Sequence, residues 1–133
     1  MRYLGIDYGD ARIGIALSDP DGTIAFPQET IQNRGDNEVV RRISGFVKKE
    51  HIGHVILGLP ISFDGGESEQ TKKVRQFAIR LREKISIPLE FENEMLTTKI
   101  AKDGGVAKEH ADASAAALML QSYLDKTKIS KSK

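Results

Sequence analysis

The chain contains no cysteine. That absence removes disulfides, thiolate nucleophiles, zinc fingers of the cysteine type and iron–sulfur clusters together. No apolar run comes near the roughly 20 residues that a membrane span requires. The opening Met1-Arg2-Tyr3-Leu4-Gly5-Ile6-Asp7 meets charge too soon for a secretory leader, so a cytoplasmic protein with no membrane partner is expected. Excess charge is missing as well, because 20 Lys and Arg against 19 Asp and Glu leave +1. This excludes histone-like coating of nucleic acid and permits an acidic centre in basic surroundings. Gly9-Asp10-Ala11-Arg12-Ile13-Gly14 has the glycine spacing of a phosphate loop but lacks the Lys-Ser/Thr that completes one. There is no Gly-x-Ser-x-Gly elbow, and His51, His54 and His110 lack the spacing of a zinc site.

What is present is enough for one domain. The 133 residues are 39% hydrophobic and 29% charged, a size at which folding buries roughly two-thirds of the unfolded surface without staples. Residues 1–125 read as the domain, and Lys126 to Lys133 as a basic disordered tail.

The N-terminal third reads as strands. Tyr3-Leu4-Gly5-Ile6 ends at Asp7-Tyr8-Gly9-Asp10, Ile13-Gly14-Ile15-Ala16-Leu17 ends at Ser18-Asp19-Pro20-Asp21-Gly22, and Thr23-Ile24-Ala25-Phe26 follows. Such short connections predict an antiparallel meander. The period then changes: Val39, Val40, Ile43, Phe46 and Val47 recur at helical spacing, with Asp36 the expected N-cap. His54 to Leu59 is a continuous apolar run stopped by Pro60, as in a strand buried on both faces. Val74, Phe77, Ala78, Leu81 and Ile85 mark a second helix capped by Ser68, and Pro88-Leu89-Glu90-Phe91 a fifth strand. Thr97 or Thr98 is placed to cap a short helix, and Ala111 to Asp125 forms the last one. The expected fold is α/β, a mixed five-stranded sheet made of a three-strand antiparallel meander plus two parallel strands, with helices on both faces.

Three carboxylates stand where chemistry is performed. Asp7 closes a buried strand, where an anion is costly unless it is hydrogen-bonded or binds a metal; an aspartate that starts a turn is the plainer account. Asp112 begins a helix whose Ala115 and Ala116 allow close approach to the sheet, or else it complements the helix dipole. Glu94 lies beyond the fifth strand in line with Glu90 and Glu92, an alternation that also suits a solvated face. Each is ambiguous alone. Converging, they would form the oxygen-rich site that a phosphodiesterase working with divalent cations requires. Lys72, Lys73, Arg75, Arg80, Arg82 and Lys84 flank the second helix, and Arg41, Arg42, Lys48 and Lys49 the first; they are either phosphate contacts or solvated faces.

In this order the motifs resemble the YqgF family, bacterial ribonuclease H-like proteins described as Holliday-junction resolvases and as nucleases that mature the precursor of small-subunit ribosomal RNA. Leu4-Gly5-Ile6-Asp7-Tyr8-Gly9 through Arg12-Ile13-Gly14-Ile15-Ala16 is similar to its opening strands and first catalytic aspartate. Val55-Ile56-Leu57-Gly58-Leu59-Pro60, followed by Asp64-Gly65, resembles its Gly-Leu-Pro strand end. Glu94-Met95-Leu96-Thr97-Thr98 resembles its Asp-Glu-Arg-Leu-Thr-Thr segment, and Asp112-Ala113-Ser114-Ala115-Ala116 its closing helix.

The resemblance implies a ribonuclease H-like nuclease in which Asp7, Glu94 and Asp112 are catalytic and hold Mg²⁺ or Mn²⁺. Arg12, Lys72, Lys73 and Arg75 would meet the nucleic acid. The implied substrate is precursor small-subunit rRNA, with branched DNA as the alternative, and the protein is a monomer or a homodimer. Asn93 stands where the family usually has aspartate and Met95 where it usually has arginine, and the stretch from Ala101 to His110 is shorter than the family's. Those departures motivate a further reading, a non-catalytic RNA-binding factor of ribosome assembly.

Overall fold

The computed structural model describes residues 1–61, 66–93 and 108–131, with the side chains of the last helix described over 112–127. The elements are β1 (Arg2–Tyr8), β2 (Arg12–Ser18), β3 (Ala25–Gln32), α1 (Asp36–Lys49), β4 (Ile52–Leu59), α2 (Glu69–Arg82), β5 (Leu89–Asn93) and α3 (Lys108–Lys131). The strands form one sheet in the order β3-β2-β1-β4-β5. β1 pairs antiparallel with β2 and β2 with β3, while β4 lies parallel to β1 and β5 parallel to β4. This is the meander plus two parallel strands that the short early turns and later strand–helix alternation predict. Among the described residues no helix is long and apolar enough to cross a membrane.

Strand pleating sorts the apolar residues into two layers. Leu4 and Ile6 of β1, Ile13 and Ile15 of β2, and Val55 and Leu57 of β4 pack against Val39 and Ile43 of α1 and Val74, Phe77 and Leu81 of α2. Their neighbours on the other face, Tyr3, Ala16 and Ile56, pack against Ala116, Met119, Leu120 and Leu124 of α3. Burial of both faces explains why β1 and β4 read as unbroken apolar runs.

Several boundaries differ from the sequence expectation, and α3 begins at Lys108, ahead of the expected Ala111, so that Asp112 lies inside the helix and not at its start. α1 is capped by Gly35, at φ 116°, and not by Asp36. Asp36 enters the first turn instead, where its Oδ1 accepts the Tyr8 hydroxyl at 2.6 Å. β3 starts at Ala25 and continues through Pro27 to Gln32. Proline is tolerated there because β3 is an edge strand and the ladder shifts register between Ile15 and Ala16, setting Pro27 opposite Ala16. β5 runs to Asn93. α3 does not stop at Asp125 but continues to Lys131; Lys126 Nζ reaches Glu92 Oε1 at 2.6 Å, and cations suit a helix C-terminus. Ser68 caps α2 as expected, in a reciprocal box with Thr71, whose hydroxyl also donates to the Pro60 carbonyl. The short helix expected at Thr97 or Thr98 lies outside the described residues, as do Asp64, Gly65 and Met95.

Candidate active site

The C-terminal end of β1 forms the centre. Asp7 is buried there, 7% exposed, on the same side of the sheet as Gly5. Its partner across the antiparallel ladder is Gly14 of β2. A Cβ placed on Gly14 would stand 1.9 Å from the Asp112 carbonyl oxygen and 2.8 Å from the Ala113 nitrogen. The second turn of α3 therefore rests its backbone directly on this glycine, the ladder partner of Asp7. On the other side, the β1–β4 register sets Ile6 opposite Leu57 and so carries Asp7 to the level of Gly58. Asp7 is bordered by glycine in both directions, and the Asp112 backbone takes the space that a side chain at position 14 would fill.

The loop from Tyr8 to Arg12 is held tightly. A Cβ on Gly9 would lie 2.5 Å from the Arg12 carbonyl oxygen. Asn33 Nδ2 donates to the Gly9 carbonyl at 2.8 Å, and Gln70 Nε2 of α2 donates to the Tyr8 carbonyl at 3.1 Å. This frame sets Arg12 on the α3 side, where its Nε donates to Asp112 Oδ2 at 2.9 Å. Beside Arg12 a groove of about 570 Å³ opens between α3 and β3, lined by Arg12, residues 27–32, Ala113 and Ser114.

Gly58 lies opposite Glu92 on β5. Glu92 is buried, and its carboxylate receives Lys126 Nζ at 2.6 Å and Ser122 Oγ at 3.2 Å, so it clamps β5 to α3. Asn93 lies opposite Leu59, and Glu94, the next residue, lies outside the described residues. Among the described residues, no group of three or more His, Asp and Glu gathers in the way a metal requires. Of Asp7, Glu94 and Asp112, the structure sets the backbone of Asp112 against Gly14, the ladder partner of Asp7.

Lys72, Lys73 and Arg75, like Arg12, are all paired. Lys73 Nζ meets Asp10 Oδ1 of the β1–β2 turn at 3.1 Å, at the rim of the centre. Lys72 Nζ meets Glu69 Oε1 at 3.4 Å, on the exposed start of α2. Arg75 grips Glu67 through two bonds of 2.9 and 2.8 Å and lies 5.5 Å over the Phe91 ring. The guanidinium holds the Glu67 carboxyl below the usual carboxylate range, and Glu67 raises Arg75 in turn. Exposed pairs of this kind add little to stability.

The sequence reading missed Gly14, Gly58 and Glu92. Glycine next to a strand-end carboxylate was the available signal for the first two, whereas Glu92 shared its alternation with exposed Glu90.

Residues 1–126 match the RuvX family, described as Holliday junction resolvase and the same family as YqgF. The chain belongs to this family. A relative from Caldanaerobacter subterraneus subsp. tengcongensis, named "Putative pre-16S rRNA nuclease", is 40% identical over 137 aligned positions, which cover 96% of this chain and 99% of that one. Thermus thermophilus RuvC in complex with a Holliday junction substrate shares the fold, with a TM-score of 0.62 at 16% identity over 96% of each chain. Fowlpox virus resolvase with Holliday junction DNA does so at a TM-score of 0.58 and 12% identity, over 96% of this chain and 99% of that one. The fold is ribonuclease H-like, as the YqgF resemblance implies.

Proposed function

We propose that this protein is a divalent-metal-dependent endonuclease of the cytoplasm that cuts structured RNA at the 5′ end of precursor small-subunit rRNA. The observation that carries this reading is the buried Asp7 at the C-terminal end of β1, with the Asp112 backbone set against its ladder partner Gly14. Open α/β sheets bind their ligands at such strand ends.

The donor set fits the cation. Asp7 and Asp112 offer hard oxygen donors of the kind that Mg²⁺ and Mn²⁺ take, and a carboxylate as buried as Asp7 is favoured by a cation beside it. Asp7, Asp112 and, by its match to the family motif, Glu94 would hold the ion. When bound, the ion supplies activation of the attacking water and neutralises charge on the phosphate. Arg12 steadies Asp112 and stands within reach of a phosphate entering the groove between α3 and β3. Lys73 and Arg75 exchange carboxylate for phosphate at the rim and fix the backbone. The oxygens of Asp7 and Asp112 need not act as nucleophiles.

Replacing Asp7 with asparagine keeps the shape and removes the charge. Asp7→Asn should abolish Mg²⁺- or Mn²⁺-dependent cleavage of structured RNA with an unchanged circular dichroism spectrum. Full activity in that variant, on RNA and on four-way DNA junctions alike, would refute the assignment. Junction resolution is the rival substrate, favoured by the family's description; it requires a dimer that presents two sites. The Arg12–Asp112 contact favours a non-catalytic RNA-binding role, because it already neutralises one of the two carboxylates. Failure of the wild type to bind Mn²⁺ in calorimetry, with RNA binding retained, would decide for that role.

A further inference from the structure

A second concentration of positive charge lies on the sheet face opposite Asp7 and Asp112, between α1 and α2. Two adjoining hollows there, of about 500 and about 440 Å³, share Asn37, Val40 and Lys84. Arg41 and Lys48 of α1, Arg80 of α2 and Lys84 just beyond it line them, and Glu83 is the acidic residue on their walls. A Cβ on Gly45 would meet no atom within 4 Å, so the α1 side of the groove is open.

What separates these cations from the nominated ones is pairing. Arg12, Lys72, Lys73 and Arg75 each hold a carboxylate. Among the described residues no ion pair engages Arg41, Lys48 or Lys84, and Arg80 reaches Asp36 only at 3.9 Å. Like charges facing one hollow repel one another, and a polyanion laid along the hollow relieves that repulsion. The upper end adjoins the active site: Asn37 follows Asp36, which binds the hydroxyl of Tyr8, the residue after Asp7. From Asn37 to Lys48 the helix rises about 16 Å. A strand held at Asp7 can cross the end of β1 and descend between the helices.

We propose that the α1–α2 groove is a second RNA-backbone site, which grips the continuation of the strand cut at Asp7. The inference rests on the nuclease reading for its ligand. Its test is the triple variant Arg41→Gln, Lys48→Gln, Lys84→Gln, all exposed positions remote from the carboxylates. Binding of a stem-loop RNA with a single-stranded extension is measured in EDTA across a salt series. The triple variant should bind about tenfold more weakly near 0.1 M salt, and its slope of log affinity against log salt should fall by about 2. Cleavage of an oligonucleotide too short to leave the active site should keep its kcat/KM. The charge-preserving variant Arg41→Lys, Lys48→Arg, Lys84→Arg should bind as the wild type does.

Equal affinity and slope in the triple variant and the wild type would overturn the groove and leave the nuclease reading standing. A reduced slope with no cleavage by either protein would keep the groove and remove the nuclease. A wild type that binds no RNA would overturn both. If the triple variant keeps its RNA affinity and loses co-sedimentation with phosphatidylserine vesicles, the groove belongs to a lipid surface and the proposal fails.

Discussion

At Gly14 the absence of a side chain decides how closely a helix packs. The Asp112 carbonyl occupies the place of a Cβ, so Gly14→Ala forces this turn of α3 away by about 1 Å or more. The neighbour is backbone and cannot swing aside. The expected loss is about 3 kcal/mol, the upper range for overpacking, readable as a lowered urea midpoint. Because Asp112 moves with the helix, cleavage should fall about a hundredfold. Gly45→Ala is the control: no atom lies within 4 Å of its Cβ, and alanine inside α1 should add about 0.5–1 kcal/mol. Asp7 was legible as an acid closing a buried strand, whereas Asp112, expected at a helix start, lies one turn inside α3. Gly14 was not legible, because its contact lies at the far end of the sequence. Arg12 shows the same limit. Its charge suggested a phosphate, and the fold gives it a carboxylate 100 positions away.

At the scale of elements, α3 holds the sheet through polar contacts as well as alanines. Tyr123 packs beside Tyr3 and His54 at ring-centre distances of 5.9 Å each, with the Glu90 carboxylate of β5 near its hydroxyl. Burial first, then the Glu90 carboxylate, pushes its phenol up to about 12 from an ordinary 10. The folded state thus favours the neutral phenol. The associated stability is fully present below pH 10 and is lost as pH rises from about 10 to about 12. Urea midpoints measured at pH 8 and pH 11 should fall more steeply for the wild type than for Tyr123→Phe, which has no proton to lose. Parallel lines would remove Tyr123 as the cause. The helix was legible as a helix, but its grip on β5 was not. Glu90 and Glu92 alternate identically in sequence, and only the crossing of α3 buries one and leaves the other exposed. Likewise Pro27 reads as a strand end, until β3 is known to be an edge strand.

Across the whole molecule, the topology was legible because each local signal agreed with its neighbours. Tight turns gave the meander, and apolar runs separated by amphipathic stretches gave the crossovers. The approach of the Asp112 backbone to the ladder partner of Asp7 follows from that topology, since α3 packs across β1 and β2. A divalent cation that binds the native state alone should stabilise the entire fold. At a concentration a hundredfold above its Kd the gain is about 2.7 kcal/mol, or roughly 10 °C in Tm for a domain of this size. A Mn²⁺ titration followed by differential scanning calorimetry should show that rise in the wild type. Asp7→Asn should not show it, although it should unfold at a comparable temperature in EDTA. Should the wild type prove indifferent to Mn²⁺, the carboxylates hold no ion, Arg12 is the counter-charge Asp112 requires, and the protein acts by binding RNA without cutting it.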